Sequence, residues 1–260
     1  MTFSQISGVV MDMDGVIWRG DEVLPGAHAL FELLRERGLP FVAATNNSSK
    51  SPADYTRKLS RIGIEGVSED SILTSGKAAV NYLQQHYPAG TAVHVVGGDG
   101  LKGMVARTGY ELADVADVVV VGIDFHLTYD KLKRAAYLIR AGAEFIGTNS
   151  DRTFPLPDGL APGAGSVLAL LQTATDREPI IMGKPNRPMF DAALDVLGTT
   201  PATTLMIGDR LDTDILGAQA AGLKTALVLT GVTTRAELAA SPIHPDGVYA
   251  DLPELLAEWE

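Results

Sequence analysis

The sequence predicts an α/β fold built on a doubly wound, mainly parallel sheet with helices on both faces. Two observations carry that expectation. Short β-branched apolar runs alternate with helical patterns along the chain, the mark of βαβ units. Runs such as the one ending in VVM at residues 9–11 and VVVV at 118–121 are apolar at every position, as strands covered on both sides must be.

The elements follow in order. GVVMDMDG reads as a buried strand breaking into a polar turn. Pro25-Gly26 then leads into the helix AHALFELLRERG, where Leu30, Leu33 and Leu34 share a face and Gly38 suits the stop. After the strand LPFVAATNN, Ser51-Pro52 supplies an N-cap and a first-turn proline to ADYTRKLSRIG. Between about Ser75 and Pro179, AVHVVGG, ADVVVVGID and EFIGTNSD read as strands, with TYDKLKRAAYLIRAG (capped by Thr128) and GAGSVLALLQTAT as helices. Tyr129, Leu132 and Tyr137, at helical spacing, are assigned to the core of this region. The strand PIIMGKP, helix RPMFDAALDVLG, strand TTLMIGDR, helix TDILGAQAAG, strand KTALVLTG and short helix PELLAEWE complete the chain. Periodicity allows the middle either to extend one large sheet or to form an inserted domain.

Composition narrows the function. The 260 residues include 21 basic and 32 acidic side chains, a formal charge of -11. That field opposes broad binding to nucleic acid or anionic membranes, though a local site can reverse it. The sequence contains neither an apolar run of membrane-spanning length nor a basic N-terminal leader, so a cytoplasmic location is expected. The absence of cysteine excludes disulfides, thiolate zinc sites and a cysteine nucleophile.

The chemical signal is that four apolar runs each end in polar residues of catalytic type: Asp12-Met13-Asp14-Gly15, Thr45-Asn46-Asn47-Ser48, Gly183-Lys184-Pro185 and Gly208-Asp209-Arg210-Leu211-Asp212-Thr213-Asp214. Ligands bind beyond the carboxyl ends of parallel strands, so four such ends in one sheet would converge. Asp12, Asp14 and Asp209 offer hard oxygen ligands suited to Mg²⁺. A strand breaking at Gly15 can swing Asp14 away from Asp12, leaving Asp12 as nucleophile and Asp14 as acid and base. Lys184, with the hydroxyl and amides around Thr45 and Asn46, would hold phosphoryl oxygens. Singly, each motif also reads as a turn, a cap or a surface charge; jointly they describe phosphoryl transfer through an aspartyl-phosphate.

Two other patterns are set aside. Gly98-Asp99-Gly100-Leu101-Lys102-Gly103 spells a dinucleotide fingerprint, but Asp99 would repel a pyrophosphate, and a structural turn is the expectation. The histidines at 28, 86, 94, 126 and 244 show no paired metal spacing.

DMDGV, TNNSS, GKP and GDRLDTD, in that order, resemble the four motifs of the haloacid dehalogenase-like (HAD) phosphatase superfamily, and more closely its NagD-like, para-nitrophenyl-phosphatase-type branch. The resemblance implies a Rossmann-like core at 1–77 and 181–260 and an inserted α/β cap domain at 78–180. It makes Asp12 the nucleophile, Asp14 the general acid/base and Lys184 the charge-stabilising lysine. Thr45, with Asn46 and Asn47 beside it, becomes the phosphate-binding group. Asp12, Asp209 and the backbone carbonyl of Asp14 become the Mg²⁺ ligands, and Asp214 orients the lysine or metal-bound water. The implied partner is a small phosphorylated metabolite such as a nucleotide or sugar phosphate; assembly into a homo-oligomer stays open. Asn149 and Asp151 face the substrate from the cap in this reading, with a polar turn as the alternative. Other readings are a phosphotransferase or mutase, a dehalogenase, which has no need of Asp14, and a metal- or ligand-binding module without turnover. The thirty residues between Asp14 and Thr45 leave no room for the helical cap usual in mutases.

Overall fold

The computed structural model describes residues 3–156 and 159–259. Its strands are β1 (Gly8–Met11), β2 (Trp18–Arg19), β3 (Glu22–Val23), β4 (Phe41–Thr45), β5 (Ile72–Thr74), β6 (Ala92–Val96), β7 (Glu111–Leu112), β8 (Val118–Val121), β9 (Glu144–Gly147), β10 (Thr153–Leu156), β11 (Gly159–Pro162), β12 (Ile180–Ile181), β13 (Thr204–Gly208), β14 (Lys224–Val228) and β15 (Gly247–Tyr249). The helices are α1 (Ala27–Glu36), α2 (Pro52–Arg61), α3 (Ser75–His86), α4 (Asp99–Arg107), α5 (Tyr129–Arg140), α6 (Ala164–Thr175), α7 (Arg187–Leu197), α8 (Leu216–Ala221), α9 (Arg235–Ala240) and α10 (Leu252–Trp259). They form two compact units, one of Met1–Thr45, Ala53–Leu73 and Lys184–Glu260, the other of Asn46–Pro52 and Thr74–Gly183.

The first unit holds a six-stranded sheet in the order β15-β14-β13-β1-β4-β5. β1 lies parallel to both β13 and β4, and every residue of β1 and β13 is buried. Such strands must be apolar throughout, which is why the sequence shows no alternation there. Leu30 and Leu34 of α1, Leu59 of α2 and Leu252 and Leu255 of α10 pack with Met11 and Ile207 in one core. In this unit the Phe3 and Trp259 rings stack 4.7 Å apart.

The second unit has its own five-stranded parallel sheet, β12-β9-β8-β6-β7, and an antiparallel hairpin of β10 and β11. The middle of the chain therefore builds a separate sheet. Its core gathers Val119, Val121, Ile139, Phe145 and Leu171. Thr128 caps α5 by accepting from the Lys131 amide, as read from sequence.

Three expectations are corrected here. Tyr129 and Tyr137 are not core residues, being 80% and 66% exposed. The buried stripe of α5 runs through Ala135 and Ile139 with Leu132 against it, so the tyrosines fall on the opposite side of the helix. TDILGAQAAG is not one α-helix, because a π-helical turn over Leu211–Ile215 precedes α8. The run PIIMGKP supplies β12, which pairs with β9 in the second sheet, so only three of the four motifs end strands of the first sheet.

The GDGLKG segment is not the turn expected of it: Gly98 is the N-cap, and Asp99 to Gly103 already form the start of a helix. α4 starts at Asp99, and a Cβ on Gly100 would sit 2.7 Å from the Ser49 carbonyl oxygen. The glycine there admits a neighbouring stretch of backbone. No helix among the described residues is long and apolar enough to cross a membrane.

Candidate active site

The site is built at the carboxyl end of β1. The Asp12 amide extends the β1–β13 ladder by donating to Ile207 at 2.9 Å, which holds the Asp12 side chain at the strand end. The chain then turns at once: the Ile17 and Trp18 amides donate back to the Met13 carbonyl. Gly15 takes φ +86°, and a Cβ there would lie 2.6 Å from the Asp209 carboxylate. Glycine is thus required both by the left-handed backbone and by the approach of Asp209. The turn gives the two aspartates different surroundings. Asp12 is buried and Asp14 exposed, and Asp14 Oδ1 accepts a 2.9 Å hydrogen bond from Trp18 Nε1.

Lys184 enters from the loop after β12 and is 2% exposed. Its ammonium donates to Asp12 Oδ1 at 2.5 Å and to the Ala44 carbonyl at 3.1 Å, and it pairs with Asp214 Oδ1 at 2.7 Å. Asp214 Oδ2 accepts from the amides of Asp209 and Arg210, so the π-helical turn aims this carboxylate back at its own strand end. Asp209 Oδ2 accepts from the Val232 amide at 2.6 Å. Its Oδ1 is buried with no hydrogen-bond partner among the described residues. Oxygens of Asp12, Asp209 and Asp214 lie within 4.8 Å of one another.

The electrostatics follow from this crowding. Burial, then the charges of Asp214 and Asp209, push the Asp12 carboxyl well above the usual range, against the pull of Lys184. Burial and Asp214 raise Asp209 to about 7. Burial disfavours the Lys184 ammonium, but Asp12 and Asp214 outweigh it and hold its pKa above the ordinary value. One buried ammonium thus faces three buried carboxylates, an excess of negative charge that a buried site does not tolerate uncompensated. A divalent cation with a preference for oxygen fits this donor set and the unpartnered Asp209 oxygen.

Thr45 closes the C-terminal end of β4 and is buried. Its hydroxyl shares a hydrogen bond with that of Tyr55, a buried residue of α2. Burial and then the charges of Asp14 and Asp12 push the Tyr55 phenol up, so it stays neutral. Asp12, Asp14 and Thr45 therefore all neighbour one tyrosine. Asn46 and Asn47 belong to the second unit. There Asn46 Nδ2 donates to Asp151 and its carbonyl accepts from Asn149, while Asn47 Oδ1 accepts from the Ser49 amide and hydroxyl.

The structure therefore gathers Asp12, Lys184, Asp209 and Asp214 directly, with Asp14 and Thr45 beside them. It adds Trp18 and Tyr55, which the sequence did not single out. Trp18 is fully buried in an apolar run and Tyr55 sits one turn into a helix; only closure of the turn after Asp14 reveals their polar ends.

Comparison with known proteins agrees with the fold. The haloacid dehalogenase-like hydrolase family matches residues 9–111, and a HAD-hydrolase-like family matches residues 181–255. An acid sugar phosphatase of Staphylococcus saprophyticus is 34% identical over 96% of this chain and 97% of its own length. A dihydroxyacetone phosphatase of Corynebacterium glutamicum is 37% identical over 96% of this chain and 90% of its own. The crystal structure of a 4-nitrophenylphosphatase from Thermotoga maritima superposes with a TM-score of 0.94 at 35% identity, covering 99% of both chains. The chain belongs to the haloacid dehalogenase-like hydrolase family, as a phosphatase of its para-nitrophenyl-phosphatase-type branch.

Proposed function

We propose that the protein is a Mg²⁺-dependent phosphomonoesterase that works through an aspartyl-phosphate on Asp12. The carrying observation is the buried set of Asp12, Asp209 and Asp214 around the single ammonium of Lys184. Asp12 and Asp209 would hold the ion together with the Asp14 carbonyl, Asp214 lying in the same cluster. When bound, Mg²⁺ neutralises charge on the phosphoryl oxygens and lets an anionic nucleophile approach.

The protein's own residues do the rest. An Asp12 carboxylate oxygen bonds to phosphorus as the bond to the ester oxygen breaks. Asp14 delivers a proton to that oxygen, so the leaving group departs as an alcohol. Asp14 then accepts a proton from the water that attacks phosphorus, releasing phosphate and restoring Asp12. Lys184 and the Thr45 hydroxyl hold phosphoryl oxygens, and Asp214 with the Ala44 carbonyl fixes the lysine. Asn46 and Asn47 keep their assignment to phosphate binding through their place after Thr45 in the motif. The inserted unit serves as the cap that selects the leaving group, a role that rests on motif order.

The substrate is a small phosphorylated metabolite; relatives named for sugar, dihydroxyacetone and nitrophenyl phosphates support that class. The test is release of phosphate from 4-nitrophenyl phosphate with Mg²⁺, with chelator, and by Asp12→Asn. Turnover should vanish with chelator and fall at least about 10⁴-fold in the variant. Activity surviving Asp12→Asn would sink the nucleophile assignment.

A further inference from the structure

The general acid needs more than a carboxyl group near the leaving oxygen. It needs one particular oxygen to carry the proton, and a side chain as exposed as Asp14 is free to rotate unless something holds it. The turn after β1 provides that hold. The Trp18 amide and carbonyl are fixed by the turn, the carbonyl accepting from the Gly15 amide at 2.8 Å, and the indole is fully buried. Trp18 stacks on Tyr55 with centroids 6.3 Å apart and ring planes within 6°. The Lys58 ammonium lies 3.9 Å from the centre of the Trp18 ring and donates to the Gly20 carbonyl at 2.7 Å. A ring gripped this way presents its N–H in one direction, and that N–H meets Asp14 Oδ1 at 2.9 Å.

We infer that Trp18 is a positioning residue for the acid step: its indole N–H occupies Asp14 Oδ1 and leaves Oδ2 to carry the proton to the ester oxygen. The indole nitrogen can only donate, so it accepts no hydrogen from Oδ1 and the acidic proton resides on the other oxygen. When the ester bond breaks, that proton moves from Oδ2 to the departing oxygen, and the carboxylate left behind keeps its hydrogen bond to Trp18. The proton taken from the attacking water returns to Oδ2. Tyr55 makes the arrangement a single unit, since the ring that stacks on Trp18 also carries the hydroxyl bonded to Thr45. The inference rests on the assignment of Asp14 as general acid.

The experiment compares aryl phosphates of similar shape and increasing leaving-group basicity: 4-nitrophenyl, phenyl and 4-methoxyphenyl phosphate. A weakly basic nitrophenolate leaves with little proton donation, whereas phenolates without the nitro group depend on it. Asp14→Asn sets the reference and should depress turnover increasingly along the series. Trp18→Phe should lower kcat for phenyl and 4-methoxyphenyl phosphate about tenfold, and for 4-nitrophenyl phosphate less than about threefold, as part of the general-acid contribution is lost. Benzothienylalanine at position 18 alone keeps the two-ring shape with sulfur in place of the N–H and should reproduce that selectivity if the phenylalanine variant folds poorly. An equal loss across the series, or no loss, in the benzothienyl variant overturns the inference while Asp14→Asn remains selective. If Asp14→Asn is itself unselective, the general-acid assignment falls and takes the inference with it.

Discussion

The two sheets of this protein are made in the same way and finish differently. Both are parallel, both have all-apolar central strands, and both place a helix after most strands. In the first, Asp12 and Asp214 compete for one ammonium, Asp209 crowds against both, and Thr45 shares a hydrogen bond with Tyr55. In the second, the corresponding ends are Gly97, Gly122 and Thr148, where a Cβ on Gly122 would meet the Ser48 and Thr148 hydroxyl oxygens about 3 Å away. Those ends are closed by packing and by the hydrogen bond from Thr148 to Ser48. Architecture alone does not mark a site; unresolved charge at the strand ends does.

The sharpest way to break this contrast is to remove the cation. Lys184→Met should lower kcat on 4-nitrophenyl phosphate by about 10²–10³-fold and destabilise the metal-free protein by about 3 kcal/mol, because Asp12 and Asp214 lose their buried partner. Urea titration and steady-state rates check both parts. A milder test uses proton uptake. Asp209 titrates at about 7 in the fold against 3.8 ordinarily, so between those values the folded protein binds the extra proton. Stability tied to this group therefore falls as pH rises through that window. Metal-free wild type should lose ground to Asp209→Asn from pH 3.8 to about 7, measured as the difference in urea midpoints; a constant difference would refute the raised pKa. Added Mg²⁺ should raise the wild-type melting temperature and leave that of Asp209→Asn nearly unmoved.

Changes in the helices of the second unit should touch stability alone or nothing. Gly100→Ala presses a methyl onto the Ser49 carbonyl and should cost about 1 kcal/mol after the gain in helix propensity. NADH should leave the melting temperature of the wild type unchanged, and a rise would revive the dinucleotide reading. Smallest of all, Tyr129→Ser on the exposed side of α5 should stay within about 0.5 kcal/mol of wild type.

Much of this was legible from local signals. Thr128 as a cap, Gly15 as a chain-breaker and the order of the four motifs all follow from residue chemistry within a few positions. What escaped reading depends on partners distant in sequence. The run before Lys184 looks like any buried strand, and only pairing with β9 assigns β12 to the second sheet. Tyr129 and Tyr137 share a periodicity with core residues, but periodicity defines a stripe without saying which stripe is covered. Trp18 reads as one more apolar residue, because nothing in the sequence shows that the chain folds back far enough for its N–H to meet Asp14.

The position of β1 also sets a timetable. This strand, at Gly8–Met11, is made long before one of its two neighbours, which follows only at Thr204–Gly208. The lysine that neutralises Asp12 arrives at residue 184. While the residues between them are made, the nascent chain therefore carries an apolar strand with an open edge, the profile of a segment that needs shielding from its neighbours. Any product that stops short of residue 184 also lacks the buried ammonium that pairs with Asp12 and Asp214, so a shortened copy leaves the Asp12 carboxylate without its counter-charge.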